Sequence, residues 1–301
     1  MASLFTPPSP ILVAGSVLWD IVGRSDRHMK QGHDVPGRII RIPGGVGMNI
    51  AMALRQHDVP VRLLSALGDD GAGRELLQEA TLRGMDASLL HISPDHPTDQ
   101  YMAVEGANGL IAAIADCHSL ERMSDEVLAP LRDGRVSSAA APYEGILVCE
   151  GNLPAEALAA LAHDAALVAA DVRLAPASPG KADRLRPFMG HNRATFYVNL
   201  IEARILLDTK VPTAPEAASQ LVAGGLHRAV VTDGANMAAI AMADEVLTGL
   251  PPAVDVRRVT GAGDVFMASH IAAELRGDMG QIALDFALAA TADYISTEAP
   301  L

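Results

Sequence analysis

Short apolar runs rich in β-branched residues recur along this chain of 301 residues, and segments with the hydrophobic spacing of amphipathic helices lie between them. Two neighbouring parallel strands need a long connection, and a helix usually provides it. The alternation therefore predicts an α/β fold, namely a doubly wound, mostly parallel sheet with helices on both faces. The predicted strands are 11–17, 61–68, 145–151, 166–172, 194–199 and 227–234, and the predicted helices lie near 46–57, 72–83, 154–164, 200–208 and 214–223.

Two stretches interrupt this alternation, because they have strand patterns and no helix follows them. The first is GRIIRIP at 37–43, and the second is 98–116, where the turn residues GANG separate two alternating arms. We predict a single domain over 1–301 that carries a small β-lid, formed by roughly 20–43 and 98–116. An ordinary hairpin at the edge of the main sheet is the alternative interpretation of the second stretch.

Composition limits the class of protein and the class of partner. The chain is 50% hydrophobic, enough for a full core, and its net charge is −13. An acidic surface disfavours nucleic acid and anionic membranes, since both bind clustered Lys and Arg. The apolar run 11–22 is too short to span a bilayer, and Cys117 and Cys149 lack metal-ligand spacing. We therefore expect a cytoplasmic protein with two reduced, buried cysteines.

The motif TGAGD at 260–264 points most directly to chemistry, because it joins a β-like segment (254–260) to an apolar, helix-forming run. Glycines allow a sharp turn and let a ligand approach the backbone closely. The first N–H groups of the following helix, together with its dipole, favour an anion. Asp264 is expected to be stabilised as a carboxylate there and to accept a proton. Phosphoryl transfer to a hydroxyl needs both groups, whereas a helix cap with packing glycines is the alternative.

A second glycine cluster, PGGVGMNIA, covers 43–51. It lacks the third glycine of a dinucleotide fingerprint and follows the suspected lid, so it indicates a tight turn that presents Asn49 to a polar ligand. An amide can bond a sugar diol with both its donor and its acceptor. The sequence contains no G-x-x-x-x-G-K-[ST] motif, which excludes a P-loop kinase.

Five motifs, in order along essentially the whole chain, resemble those of the ribokinase (PfkB) family of carbohydrate kinases. They are PGGVGMNIA (43–51), SALGDDGAG (65–73), NLIE (199–202), VVTDGANM (230–237) and VTGAGDVFMA (259–268). The resemblance implies a kinase that uses ATP with magnesium, built on a doubly wound α/β domain with a β-lid.

The resemblance also assigns roles to residues of this sequence. Asp264 would be the catalytic base, with an anion hole formed by Gly261, Ala262 and Gly263. The ATP site would contain Asn199, Glu202, Thr232, Gly234 and Thr260, with Glu202 reaching the metal through water. The acceptor site would contain Asp20, Gly44, Gly45, Asn49 and Asn152. The alternative, purely structural roles are a loop start for Asp20, a solvated helix position for Glu202 and a helix cap for Asn152.

One position departs from the family pattern. Family members often have D-T-T-G-A-G-D where this chain has Arg258, Val259 and Thr260 before the GAGD segment. In potassium-activated members the first acid helps to hold the cation, so the resemblance argues against a monovalent cation here. We hypothesise that the guanidinium group of Arg258 substitutes for that cation, and the alternative is a surface charge.

The stretch 98–116 resembles the lid of the pseudouridine-kinase branch of the family. This resemblance implies ATP-dependent phosphorylation of the 5′-hydroxyl of a nucleoside, with pseudouridine as the favoured acceptor. An apolar wall for a flat base is expected from Tyr101, Met102, Val104 and Ile114, and polar contacts from Thr98, Gln100 or Asp116.

Two other functions stay open on the sequence. One is another sugar or nucleoside kinase of the same family, of the ribokinase or adenosine kinase type. The other is a sugar- or nucleotide-binding regulator that has lost turnover, although such a protein has no need of a base at Asp264. The expected partner is a small nucleoside or sugar, and analogy with the family adds a homodimer through the lid.

Overall fold

The computed structural model describes residues 10–297, which form a large sheet, a smaller sheet and a two-stranded sheet, with helices around them. The strands are β1 (Ile11–Ala14), β2 (Leu18–Arg24), β3 (Arg38–Gly44), β4 (Val61–Leu64), β5 (Ala66–Gly68), β6 (His91–Ser93), β7 (Gln100–Gly106), β8 (Gly109–Asp116), β9 (Ile146–Glu150), β10 (Asp171–Ala175), β11 (Ala194–Asn199), β12 (Arg228–Thr232), β13 (Ala238–Met242) and β14 (Glu245–Gly249). The α-helices are α1 (Val46–Gln56), α2 (Gly71–Leu82), α3 (His118–Arg122), α4 (Ser124–Leu128), α5 (Ala155–Ala162), α6 (Leu200–Leu207), α7 (Ala214–Ala223), α8 (Ala262–Leu275) and α9 (Gln281–Ser296).

The large sheet has the strand order β14-β13-β12-β11-β10-β9-β1-β4. Neighbouring strands from β12 to β4 are parallel, and β13 and β14 extend the sheet as antiparallel strands. The predicted fold class, a mostly parallel sheet with helices on both faces, is therefore confirmed.

Central strands of the large sheet are buried on both faces. In β1, Leu12 packs in the hydrophobic core beneath α5, α6 and α7, whereas Val13 packs in the core beneath α1, α8 and α9. Strands covered on both faces have continuous apolar runs, which is the pattern that the sequence shows. Because both faces of these strands are buried, polar side chains that bind a ligand are expected at the strand ends.

The smaller sheet, here called the lid sheet, has the order β3-β2-β7-β8. Strands β2 and β7 are parallel, and the two outer pairs are antiparallel. Strands β7 and β8 form the predicted hairpin, and every residue of β8 is exposed. Within residues 10–297, β8 is therefore an edge strand, which pairs with β7 on one side and with no strand on the other.

Two sequence predictions of strands are wrong. The run 166–172 begins as a 3-10 turn (Ala165–Leu167), where the Ala166 N–H donates to the Asp164 carboxylate (2.9 Å), and β10 starts only at Asp171. The segment 254–260 forms no strand, because its N–H groups at Arg257 and Arg258 donate to the Ile295 carbonyl at the end of α9. Short apolar runs do not distinguish a strand from a turn of helix by periodicity. Strands β6, β13 and β14 and helices α3, α4 and α9 have no counterpart among the predicted elements.

The structure bears on two further predictions, the state of the cysteines and the absence of a membrane span among the described residues. Both Cys117 and Cys149 are free and buried, as expected. Burial raises the pKa of Cys117 to about 12, so its thiol is protonated at neutral pH. No helix within residues 10–297 has the length and apolar character needed to cross a bilayer.

A buried ionic cluster fixes the C-terminal end of α8 to the large sheet. Glu274 of α8 accepts hydrogen bonds from Arg173 of β10 (2.8 Å) and Arg228 of β12 (2.5 Å). The Arg173 guanidinium also donates to Tyr197 (2.9 Å). Burial raises the pKa of Glu274, but the two guanidinium groups outweigh burial and lower the pKa to about 2. The cluster therefore stays ionised and holds the helix against two strands.

We expect Glu274→Gln to lower the free energy of unfolding by about 3–5 kcal/mol, because the substitution removes the carboxylate that pairs with the largely buried Arg228 and leaves Arg173 with Asp171 alone. Asp133→Asn is the matched control, since it breaks the exposed pair with Arg135 and should change the free energy of unfolding far less. Urea unfolding of the three proteins at neutral pH measures both values. Equal losses in the two variants would show that the cluster does not fix α8.

Candidate active site

A cleft with a volume of about 610 Å³ lies over the carboxyl ends of the parallel strands and beneath the lid sheet. Open α/β sheets bind ligands at this edge. Most of the predicted site residues line the cleft: Asp20, Gly45, Asn49, Tyr101, Asn152, Asn199, Glu202, Thr232, Gly234, Thr260, Gly261, Ala262, Gly263 and Asp264. Three predicted residues, Gly44, Thr98 and Asp116, do not line it.

The TGAGD segment forms a left-handed turn that starts α8. Gly261 has a φ of +82°, and its hydrogen atom faces the Tyr294 hydroxyl, where a Cβ would lie 2.6 Å from the oxygen. Glycine is therefore required here for conformation and for space. The Ala262 N–H already donates to the Val259 carbonyl (3.1 Å). Helix geometry leaves the amides of Gly263 and Asp264 as the groups that can receive an anion.

Asp264 lies in the first turn of α8, where its carboxylate accepts a hydrogen bond from the Asn49 amide (3.0 Å). Burial raises the pKa of Asp264 to about 7, the Asn49 bond opposes this, and nearby Glu150 and Asp20 add to the rise. The expectation that the helix terminus stabilises the anion is therefore corrected, since burial and acidic neighbours outweigh it. A pKa near neutrality suits a general base.

Asp20 projects from β2 of the lid sheet into the cleft. Burial raises the pKa of Asp20 to about 6. Gly44, its neighbour on β3, lies behind this carboxylate, and a Cβ at position 44 would overlap the Asp20 oxygens. Gly44 therefore makes room for Asp20 instead of lining the cleft. Gly45, with a φ of +91°, begins α1 and brings Asn49 to the cleft.

A hydrogen-bonded cluster forms the floor of the cleft after β1 and β9. Glu150, fully buried, accepts bonds from the N–H groups of Ser16 (2.6 Å) and Asn152 (2.7 Å). The Asn152 amide donates to the Ser16 hydroxyl (2.9 Å) and accepts from Lys181. Asn152 does not cap α5, whose N-cap is Pro154. Ser16 and Glu150 were not predicted as site residues, although each is the second-to-last residue of a predicted strand, 11–17 and 145–151.

Lys181 follows β10 and reaches the cleft beside Asn152 and Cys117. Among the described residues that line the cleft, it carries the one basic side chain, whereas Asp20, Glu202 and Asp264 are acidic. Lys181 thus brings a positive charge and N–H donors, one of them bonded to Asn152, to an otherwise acidic cleft.

Asn199 and Glu202 form a capping box at the start of α6. The Glu202 N–H donates to the Asn199 side chain (3.0 Å), and the Asn199 N–H donates to the Glu202 carboxylate (2.8 Å). Burial raises the pKa of Glu202. Residues 10–297 contain no group of three or more His, Cys, Asp or Glu that could hold a metal ion. A single carboxylate fits magnesium that is held mainly by phosphates and water.

The lid residues divide between the two faces of the lid sheet. Tyr101 and its partner Ala115 line the cleft. Met102 and Ile114, which pair with each other, face outward and are 48% and 69% exposed, so the predicted apolar wall is wrong for both. Adjacent residues of a strand point to opposite faces, a constraint that the predicted wall ignored.

Thr98 and Asp116 have structural partners outside the cleft. The Thr98 hydroxyl donates to Asp70 (2.7 Å) and accepts from the Gly68 N–H (3.0 Å). Asp70 also caps α2 through the Gly73 N–H (2.7 Å). Asp116 is exposed and bonds His118 (2.6 Å). The G-x-D-x-x-G segment, which contains Asp70, therefore forms the loop under the lid. Thr98 and Asp116 do not line the cleft.

Comparisons with known proteins agree with this geometry. The family described as pfkB family carbohydrate kinase matches residues 9–298. The pseudouridine kinase of Escherichia coli (strain K12) is 29% identical over 263 residues, which are 86% of this chain and 81% of that protein. A carbohydrate kinase from Agrobacterium tumefaciens has a TM-score of 0.79 at 27% identity, with 96% of this chain and 92% of that chain covered. The Arabidopsis thaliana ribokinase complexed with ribose and ATP shares the fold, with a TM-score of 0.74 at 21% identity over 96% of this chain and 93% of that chain.

Proposed function

This chain belongs to the PfkB family of carbohydrate kinases, and from that premise we propose that it transfers the γ-phosphoryl group of ATP to the 5′-hydroxyl of a nucleoside, pseudouridine in particular. Kinases of this family are phosphotransferases with a hydroxyl acceptor. The observation that carries the proposal is the position of Asp264 beside the turn at Gly261, because transfer to an alcohol needs a base and an anion site together.

The proposed reaction assigns each proton and bond to a group in the cleft. The acceptor oxygen attacks the γ-phosphorus in line, its proton passes to the Asp264 carboxylate, and the bond between the γ-phosphorus and the bridging oxygen breaks to release ADP. Asn49 holds the carboxylate towards the cleft through its 3.0 Å hydrogen bond. The amides of Gly263 and Asp264 stabilise charge on the transferring group.

The nucleotide is proposed to lie on the side of the cleft formed by the ends of β11 and β12. Asn199, Glu202, Thr232 and Gly234 line this side, and Thr260 lies at the entry to the anion turn. Magnesium bound to the phosphates would supply positive charge in this acidic site, with Glu202 holding its water. The capping box keeps Glu202 oriented for that role.

The acceptor is proposed to lie on the opposite side, beneath the lid sheet. Asp20, Asn49 and Asn152 provide acceptors and donors for sugar hydroxyls. Tyr101 supplies an aromatic surface for a base, and Lys181 supplies donors for carbonyl oxygens such as those of uracil. A nucleoside with a carbonyl-rich base uses both features, whereas a free pentose uses neither. The pseudouridine kinase relative supports the same choice.

The first test compares acceptors in one assay. We expect ADP release with magnesium ATP and pseudouridine, and little release with adenosine, ribose or fructose, because these three lack the carbonyl-rich base. Low release with uridine, whose base has the same carbonyl groups, is expected from the pseudouridine kinase relative alone. Turnover with ribose or adenosine alone would show that the proposed acceptor is wrong, and it would leave the proposed phosphoryl transfer by Asp264 and the anion turn unchanged. Absence of turnover, with a raised melting temperature in the presence of a sugar or nucleoside, would identify a binding regulator instead.

We expect Asp264→Asn to lower kcat by about 10²–10⁴-fold and to leave acceptor binding nearly unchanged, because the amide cannot take the hydroxyl proton. In the wild-type protein, kcat/KM should rise with pH and level off above about pH 7, since the base acts in its deprotonated form and its pKa is about 7. Steady-state rates from pH 5 to 9 and calorimetric binding measure both effects. The control is Asp183→Asn, an exposed position outside the cleft. A flat pH profile, or loss of binding with turnover, would contradict the role of Asp264.

We further propose a homodimer through the lid sheet. Its edge strand β8 is wholly exposed and unpaired on one side. The outer face carries large apolar side chains, which include Ile39 (80% exposed) and Ile114 (69%). Exposed apolar strand edges pair with other chains unless they are covered. We also propose a cytoplasmic location, which ATP-dependent chemistry and two free cysteines support.

Ile114→Glu is expected to convert the dimer to a monomer, because it puts a charge into the proposed apolar interface. Leu82→Glu is the control, since Leu82 is comparably exposed (72%) but lies on α2, outside the lid. Light scattering after size exclusion should give twice 31.4 kDa for the wild type and the control, and 31.4 kDa for Ile114→Glu. A monomeric wild type would refute the lid dimer.

A further inference from the structure

Arg258 lies three residues before the turn at Gly261, and its guanidinium group is bound to the C-terminal end of α9. The guanidinium carbon is 3.7 Å from the centroid of the Tyr294 ring. The Nε atom donates to the Tyr294 carbonyl (3.1 Å), and the Nη2 atom donates to the Thr297 hydroxyl (3.2 Å). Three contacts therefore fix this side chain in one place, which excludes the interpretation as a free surface charge.

Tyr294 carries the contact onward to the anion turn. Its hydroxyl donates to the Thr260 carbonyl (3.0 Å), directly before Gly261. The same hydroxyl lies where a Cβ of Gly261 would otherwise be. The ring is thus held between Arg258 on its face and the turn at its hydroxyl edge. Loss of the Arg258 guanidinium group is therefore expected to shift the Tyr294 ring, and this shift would reach the turn through the hydrogen bond to the Thr260 carbonyl.

The charge of Arg258 suits this location. The last turn of a helix concentrates partial negative charge on its free carbonyl groups, and a cation there is stabilising. A guanidinium group also stacks on a tyrosine face and stays protonated at every physiological pH. A permanent cation therefore binds the end of α9 to the segment that leads into the anion site.

The same residues do not fit a monovalent metal ion. Position 258 carries a positive charge, whereas the D-T-T-G-A-G-D pattern that this segment resembles has an acid there. The Tyr294 carbonyl already accepts a hydrogen bond from Arg258, and the Thr260 carbonyl accepts one from the Tyr294 hydroxyl. A metal ion would have to displace both donors and would meet the guanidinium charge.

We propose that Arg258 is a built-in cation: a positioning residue that, through Tyr294, holds the anion turn in its active geometry and makes activity independent of potassium. The inference concerns the chemistry of transfer and does not depend on which acceptor is used. It rests on the proposed kinase function only for its activity measurements.

The first experiment compares monovalent cations with the wild-type protein. Turnover is measured with magnesium ATP in potassium, sodium and tetramethylammonium buffers of equal ionic strength, with the acceptor that gives the highest rate. We expect kcat values that agree within about twofold, because the cation is part of the chain. A rise of fivefold or more in potassium would overturn the proposal.

The second experiment removes the guanidinium group and then returns it. Arg258→Ala should lower kcat by about 10- to 100-fold with little change in the acceptor KM, because displacement of transition-state donors affects the transfer step. Guanidinium ion at low millimolar concentration should restore much of the lost kcat. Arg276→Ala is the matched control, since Arg276 also stacks on a ring (Phe286, 4.3 Å) at a helix end, but at the far end of α8. An Arg258→Ala variant with unchanged kcat, or with a loss that guanidinium cannot restore, would refute the built-in cation.

A third measurement needs no turnover and separates this proposal from the proposed function. Amide hydrogen exchange at residues 260–264 is followed in the wild type, Arg258→Ala and Arg276→Ala without ligand. Exchange should be at least about tenfold faster in Arg258→Ala alone, since the turn loses its support from Tyr294. Unchanged exchange would contradict the proposal, even if every acceptor in the panel failed.

Discussion

The contacts at the two ends of α8 control the geometry of the whole site. At its C-terminal end, Glu274 is held by two arginines from separate strands. At its N-terminal end, the left-handed Gly261 turn rests on Tyr294. Between these ends the helix is almost entirely buried against α1 and α9. A helix fixed at both ends can present a base and free amides at one place without a flexible loop, and this preorganisation is what electrostatic catalysis requires.

The parts of this arrangement that depend on local sequence were predictable. The alternation of apolar runs and amphipathic segments gave the parallel sheet, and the helices α1, α2, α6 and α7 lie within one or two residues of their predicted positions. The glycines of TGAGD indicated the turn and the helix start, and the motifs NLIE and VVTDGANM gave Asn199 and Thr232 through the family resemblance. In each case the residues that carry the signal are neighbours in the chain, so spacing alone was informative.

The parts that depend on long-range contacts were not predictable from spacing. The raised pKa of Asp264 comes from burial and from acids contributed by distant elements. Lys181 meets Asn152 only because β9 and β10 are adjacent in the sheet. Thr98 resembled a cleft residue by position in its motif, yet its hydroxyl is used by Asp70. A motif gives the residue type and the order, whereas the partners of each side chain depend on the packing.

The cleft has two sides with different structural origins, and this separation bears on how the family varies its acceptor. The base, the anion turn and the capping box are built on α8, α6 and the ends of large-sheet strands, and all are fixed by buried contacts. The proposed acceptor side is built from the lid sheet, which carries Tyr101, and from the segments after β9 and β10, which carry Asn152 and Lys181. Under the proposed function, substitutions on this side would change which hydroxyl compound is bound and would leave Asp264 and the anion turn in place. The two groups proposed to bind a carbonyl-rich base, Tyr101 and Lys181, both lie there, so we propose that this side of the cleft determines acceptor specificity.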